Sequence, residues 1–96
     1  MKNDNPILYI KPGCQWCREA LSFFSQHGVP LDVRDVTANP QNLQRMLEVS
    51  GQSLTPTFEF DEFIVADFSV PEFLDALAQV PEVAHKLGFG DQEDWN

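Results

Sequence analysis

The sequence predicts an α/β fold in which a four-stranded mixed sheet carries helices on both faces, in the order β-α-β-α-β-β-α. An apolar run near the N-terminus is followed by apolar residues at helical spacing. A strand–helix–strand start implies parallel pairing with a right-handed crossover. Two apolar runs near position 60 are separated by only two polar residues, which favours an antiparallel hairpin. The 96 residues suffice for one domain, with a core at 6–79 and a short extension at 80–96.

The first strand and the first helix are separated by a clear break. Residues 7–10 are apolar with β-branched and aromatic side chains, which is typical of a buried strand, and Lys-Pro-Gly at 11–13 ends it. Over residues 14–27 the apolar positions recur at i, i+3, i+4 and i+7, so they share one helix face. Gly28 stands where a helix C′ glycine belongs. The apolar face consists of Cys17, Ala20, Leu21 and Phe24.

A second strand and a second helix are predicted by the residues that follow. Apolar and polar residues mostly alternate over 31–36, which predicts a strand. Asn39 before Pro40 is typical of an N-cap followed by proline at the first helical position, and Gly51 ends the helix. Leu43, Met46 and Leu47 are expected to form its apolar face.

The C-terminal third predicts a hairpin and a capped helix. Residues 57–60 and 63–65 flank an Asp-Glu turn. Ser69 with Glu72 three residues later is a capping box, and the helix it opens should turn Phe73, Leu74 and Leu77 inward. Residues 81–87 allow one more short helix, and the acidic end at 91–96 is expected to fray.

The charge balance restricts the partners. The net charge of −9 argues against nucleic acid and anionic membrane surfaces as ligands. The sequence contains no apolar run of 18 residues, so no membrane span is expected. The polar N-terminus lacks the apolar stretch of a signal peptide, and we therefore expect a cytoplasmic location.

The two cysteines, Cys14 and Cys17, lie between the predicted first strand and the helix that follows it. A thiol becomes a good nucleophile only as a thiolate. Unpaired N–H groups and the macrodipole favour negative charge at a helix N-terminus, where Cys14 stands, and Lys11 and Arg18 add flanking cations. We predict that Cys14 has a lowered pKa and attacks disulfides. Cys17, one turn further on, would then attack the resulting mixed disulfide.

Two other interpretations of the pair are weaker. An inert disulfide would close a loop of only four residues, which stabilises little, and a reducing cytosol would tend to open it. A zinc half-site needs more ligands, and the sequence offers only His27 and His85, without finger-like spacing. We expect no metal site and regard both histidines as ordinary helix-end residues.

Residues 9–17, Tyr-Ile-Lys-Pro-Gly-Cys-Gln-Trp-Cys, resemble the active-site segment of glutaredoxins. Thr55-Pro56, about forty residues on, resembles the Thr-Pro turn of that family. The similarity covers roughly residues 6–79 and implies a thioredoxin-like fold. It also implies that Pro56 follows a cis peptide bond and packs beside Cys14. The backbone of Thr55 would then pair with an incoming peptide or glutathione strand, and Lys11 would help to shape the site.

One segment departs from the glutathione-using members, which carry Gly-Gly and then polar residues before the last helix. This chain has Ala-Asp-Phe-Ser-Val at 66–70, and the Asp67 carboxylate would repel a glutathione carboxylate at short range. The segment looks more like the hydrogen-donor glutaredoxins, which serve ribonucleotide reductase and take electrons from thioredoxin reductase. The candidate residues for binding substrate or glutathione are Lys11, Trp16, Thr55, Pro56, Asp67, Phe68 and Ser69.

Trp16 and Glu59 each have two candidate roles. Trp16 is expected at the rim of the site, where an exposed aromatic ring can anchor a protein partner. Glu59 interrupts an apolar strand three residues after Pro56, and its expected place is an exposed or edge-facing position. A proton relay near Cys17 is the less favoured role for Glu59.

The leading hypothesis is a monomeric cytoplasmic reductase of disulfide-containing proteins, in which Cys14 attacks and Cys17 resolves. A separate reductase or glutathione would supply the electrons. No tightly bound cofactor is expected, and glutathione is a candidate co-substrate. The alternatives are a glutathione-dependent glutaredoxin with weakened glutathione contacts and a redox-responsive binding module without turnover. Iron–sulfur binding with glutathione, known in relatives with one active cysteine, is disfavoured by the second cysteine.

Overall fold

A computed structural model describes residues 5–89 of the chain; the N-terminal residues 1–4 and the acidic end at 91–96 lie outside this range. Within it, no helix is long and apolar enough to cross a membrane. The elements in chain order are β1 (Ile7–Ile10), α1 (Gln15–Gln26), β2 (Asp32–Asp35), α2 (Pro40–Ser50), β3 (Thr57–Phe60), β4 (Phe63–Ala66), α3 (Val70–Ala78) and α4 (Pro81–Leu87). The predicted order is confirmed, and the suggested short helix at 81–87 is present.

The sheet has the strand order β2-β1-β3-β4. Strands β1 and β2 run parallel, as a strand–helix–strand connection requires, with Ile7 opposite Asp32. Strands β3 and β4 form the predicted hairpin, and β3 also runs antiparallel to β1. The segment that contains Cys14 and Cys17 therefore follows the C-terminal end of β1, a central strand flanked by β2 and β3.

Helices α1, α3 and α4 cover one face of the sheet around a cluster of phenylalanine rings. Phe73 from α3 is fully buried and lies 5.1 Å from the ring of Phe24 and 4.9 Å from the ring of Phe58, centroid to centroid. The core extends past position 79, because Leu87 and Phe89 belong to the same buried cluster. The predicted core of 6–79 was therefore too short.

Helix α2 covers the opposite face, where Met46 packs against Tyr9 and Val36. Leu43 is partly buried there, as predicted. Leu47 was predicted on the apolar face of α2 but is 42% exposed. A single helix over a small sheet has a narrower buried stripe than its apolar pattern suggests, and Leu47 lies outside that stripe.

The predicted helix ends are confirmed. Asn39 accepts the backbone N–H of Gln41 at 2.9 Å, and Gly51 ends α2 with a left-handed φ of 72°. At the start of α3, Ser69 accepts the N–H of Glu72 at 3.5 Å, while Glu72 accepts the N–H of Ser69 at 2.9 Å. This reciprocal pair is the capping box indicated by the sequence.

Candidate functional site

Cys14 is the N-cap of α1, and its sulfur accepts the backbone N–H of Cys17 at 3.1 Å. The first N–H groups of a helix have no partner within the helix, so a sulfur at the cap satisfies one of them. A disulfide joins Cys14 to Cys17, whose Cα atoms are 5.2 Å apart. Both predicted reactive residues therefore meet at the start of a helix.

The two sulfur-bearing residues differ in accessibility. Cys14 is partly exposed, whereas Cys17 is only 2% exposed on the inner face of α1 with Ala20 and Phe24. Solvent can therefore reach Cys14, whereas Cys17 is shielded from it.

The segment before β3 faces Cys14 from across the site. The hydroxyl oxygen of Thr55 lies 3.7 Å from Cys14 Sγ, and the carbonyl oxygen of Thr55 lies 3.8 Å from the same sulfur. The Thr55–Pro56 peptide bond is cis, as the family resemblance implied. Thr55, which precedes the cis bond, thus stands beside the Cys14 sulfur.

Gln52 holds this segment in place and was not singled out in the sequence. Its amide nitrogen donates to Ser50 Oγ at 2.8 Å and to Thr57 Oγ1 at 3.1 Å, while its amide oxygen accepts the N–H of Leu54 at 2.7 Å. The side chain therefore ties the end of α2 to both sides of Thr55. A glutamine in a loop has no sequence signature that distinguishes this role from a solvated one.

A cavity of about 420 Å³ is lined by four of the predicted residues, among them Trp16, which lies between the two cysteines in sequence. Trp16 is 50% exposed at this cavity, and the N–H of Asp67 donates to the carbonyl of Pro56 at 2.9 Å. Phe68 is 3% exposed and packs on Phe73, which makes it chiefly a core residue. The lining residues are Trp16, Asp67, Phe68, Ser69 and Glu72.

Lys11 is exposed between β1 and α1. In the described part of the chain, no hydrogen bond or ion pair joins it to either sulfur. Its contribution to the site would therefore be a charge near the reactive segment rather than a fixed contact.

Glu59 is not the exposed or edge-facing carboxylate that we expected. It is 7% exposed, accepts the Tyr9 hydroxyl at 2.6 Å and pairs with Arg45 at 2.9 Å. Burial raises the pKa of the Tyr9 phenol well above its ordinary value, and the hydrogen bond to Glu59 raises it further. The expectation failed because both faces of the sheet are covered, so the polar side of β3 faces α2 rather than solvent.

The position of Glu59 also excludes the proton relay to Cys17. Glu59 is paired with Ile7 at the start of β1, whereas Cys14 follows the end of that strand. Its side chain joins Tyr9 and Arg45 on the face covered by α2, opposite the face on which α1 packs.

The two histidines lie at helix ends. His27 is the C-cap of α1 and packs on the ring of Phe23 at a centroid distance of 4.5 Å, and His85 is in the last turn of α4. Residues 5–89 contain no group of three or more His, Cys, Asp or Glu side chains that could hold a metal ion.

These features are those of a thioredoxin-like protein. A redox-active cysteine pair lies at a helix N-terminus and faces the segment with the cis proline. The family model described as glutaredoxin matches residues 7–65, and the chain belongs to the glutaredoxin family. Family and cysteine pair together support a function like that of thiol–disulfide oxidoreductases.

Solved structures agree with this assignment. The thioredoxin-like protein BC3987 is 25% identical, with a TM-score of 0.68 over 76% of this chain and 100% of its own. A glutaredoxin from Brucella melitensis is 25% identical, with a TM-score of 0.61 over 91% of both chains. A glutaredoxin from Archaeoglobus fulgidus shares the fold at 15% identity, with a TM-score of 0.65 over 77% of this chain and 86% of its own. No curated protein sequence matches the chain significantly.

Proposed function

We propose that the protein is a monomeric cytoplasmic disulfide reductase that acts on protein or mixed disulfides through a dithiol mechanism. The observation that carries the proposal is the unequal exposure of the pair. Cys14 is partly exposed at the helix cap, and Cys17 is buried one turn behind it. An accessible attacking sulfur and a sheltered resolving sulfur are what a two-step exchange requires.

The exchange begins with the reduced pair. The Cys14 thiolate attacks one sulfur of the substrate disulfide, that S–S bond breaks, and the first substrate sulfur leaves as a thiolate that takes a proton from water. Cys17 then loses its thiol proton to water and attacks Cys14 as a thiolate. This attack displaces the second substrate sulfur as a thiolate, which takes a proton from water. The substrate gains two electrons and two protons, and the enzyme ends as the Cys14–Cys17 disulfide. An external thiol or dithiol reductase then returns two electrons and two protons to the pair.

The groups around Cys14 support its role as the attacking thiolate. The N–H of Cys17 and the hydroxyl of Thr55 both point hydrogen-bond donors at Sγ, at 3.1 and 3.7 Å. Donors of this kind stabilise the charged form of sulfur more than the neutral form. We therefore expect the pKa of Cys14 in the reduced protein to lie below the free-thiol value of about 8.5, measured by thiolate absorbance during a pH titration.

The resolving role of Cys17 gives a direct test. In the Cys17→Ser variant, we expect a mixed disulfide between Cys14 and the substrate to accumulate, because no second sulfur can displace it. Mass spectrometry of the variant after mixing with an oxidised peptide measures the adduct. The wild-type protein under the same conditions is the control and should show the internal disulfide instead. Failure of the variant to retain any adduct would exclude Cys17 as the resolving residue.

The electron source separates the proposal from a glutathione-dependent glutaredoxin with weakened contacts. Asp67 is exposed, its backbone N–H bonds to the carbonyl of Pro56, and its carboxylate would face a carboxylate of bound glutathione. We expect thioredoxin reductase with NADPH to sustain faster turnover than glutathione with glutathione reductase. Faster turnover with glutathione would favour the alternative.

A binding module would behave differently again. It would release one stoichiometric equivalent of substrate thiol and then stop, even with an excess of either reductant. Steady-state turnover in the same assay therefore separates an enzyme from a redox-responsive partner protein.

A further inference from the structure

We infer that the cavity beside Cys14 makes the enzyme prefer disulfides that carry a cationic group next to the reacting sulfur. The inference rests on the proposed function and specifies its substrate class. Such substrates would be cysteines flanked by lysine or arginine, or small amine-bearing disulfides.

The walls of this cavity connect it to Cys14. Trp16 lies two residues after the attacking cysteine and lines the cavity. On the other side, Asp67 is hydrogen-bonded through its backbone to Pro56, and the preceding Thr55 contacts Cys14 Sγ. The cavity walls are therefore continuous with the groups around the reactive sulfur. Whatever is bonded to the substrate sulfur lies close to them.

The lining of the cavity favours positive charge. Its two ionisable lining residues, Asp67 and Glu72, are both exposed carboxylates, and no lysine or arginine is among its five lining residues. One Glu72 oxygen accepts the N–H of Ser69, which fixes that carboxylate at the edge of the cavity. The half-exposed indole of Trp16 adds a π face on which an ammonium or guanidinium group can rest.

The charge of the whole chain acts in the same direction. At a net charge of −9, the long-range field attracts cations and repels anions such as glutathione. Lys11 and Arg18 lie near the cysteine pair in sequence, but neither lines the cavity. The local preference and the long-range field therefore agree in sign, and salt should weaken both.

Three small disulfides of different charge provide the test. Cystamine carries two ammonium groups, 3,3′-dithiodipropionate carries two carboxylates, and bis(2-hydroxyethyl) disulfide is neutral. The rate of attack by the reduced protein is measured for each under stopped flow. Each rate is divided by the rate with a free simple thiol, which removes the intrinsic reactivity of the disulfide, and the neutral compound is the reference for each protein.

We expect the corrected rate for cystamine to exceed that for the dicarboxylate by roughly tenfold or more at low salt, and the ratio to shrink as salt is added. In Asp67→Asn combined with Glu72→Gln, the ratio should fall by about fivefold. Asparagine tolerates the positive φ of 54° at position 67, and glutamine can keep the capping box.

A double variant that removes the same two charges outside the cavity serves as the control. Asp75 lies in α3 and Glu82 in the first turn of α4, and both are exposed and outside the cavity. Asp75→Asn combined with Glu82→Gln should leave the ratio within about twofold of wild type. An equal fall in this control would assign the preference to net charge and overturn the cavity as its cause.

The remaining outcomes separate the inference from the proposed function. Equal corrected rates for the cationic and anionic disulfides would overturn the inference while leaving the reductase intact. Rates no faster than those of a simple thiol with all three compounds, including the neutral one, would instead overturn the proposed function.

Discussion

Replacing Cys14 with serine is expected to reduce disulfide turnover by on the order of 10³-fold or more, to the background of the assay. A serine hydroxyl stays protonated at neutral pH and cannot form a disulfide, so neither the attack nor the mixed intermediate is available. The N–H of Cys17 and the hydroxyl of Thr55 would then face a group that carries no charge to stabilise. Reduction of insulin disulfides with a regenerating reductant measures the loss.

The Cys17→Ser variant is the matched control for this experiment. It has the same exchange of sulfur for oxygen one turn away, and it should still attack once. Loss of the disulfide itself should affect stability little in both variants, because it closes a loop of only four residues. Undiminished turnover by Cys14→Ser would contradict the proposed mechanism.

Replacing Phe73 with alanine is expected to lower the free energy of unfolding by about 3–5 kcal/mol. The side chain is fully buried and contacts the rings of Phe24, Phe58 and Phe68, so truncation would leave a cavity that rigid neighbours cannot fill. Domains of this kind have a total stability of about 5–15 kcal/mol, so much of it would be lost. Urea unfolding followed by far-UV circular dichroism measures the change.

Leu47→Ala is the control for Phe73→Ala, because Leu47 was predicted on the apolar face of α2 but is 42% exposed. We expect a loss below about 1 kcal/mol. A loss comparable to that of Phe73→Ala would mean that Leu47 is buried after all.

The sequence predicted the elements well because their signals are local. Helix caps at Asn39 and Ser69 depend on a side chain reaching a backbone N–H two or three residues away, so the motif alone identifies them. The position of Cys14 at a helix start follows from the same kind of local pattern.

Two of the failures concern contacts between elements distant in sequence. Glu59 was expected at an exposed or edge position, but Tyr9 and Arg45 from other elements bury and pair it. Phe89 reaches back to stack on Phe23. The contacts of Gln52 are local, but they belong to an irregular loop. None of these contacts has a period or a motif that a single sequence can display.

The burial of Cys17 has a consequence under oxidative stress. When peroxide reaches the partly exposed Cys14, the first product is a sulfenic acid. Cys17 lies close enough to condense with it and expel water, which forms the Cys14–Cys17 disulfide. Irreversible sulfinic acid would form only if a second peroxide molecule arrived before that ring closed, so the hidden sulfur protects the exposed one.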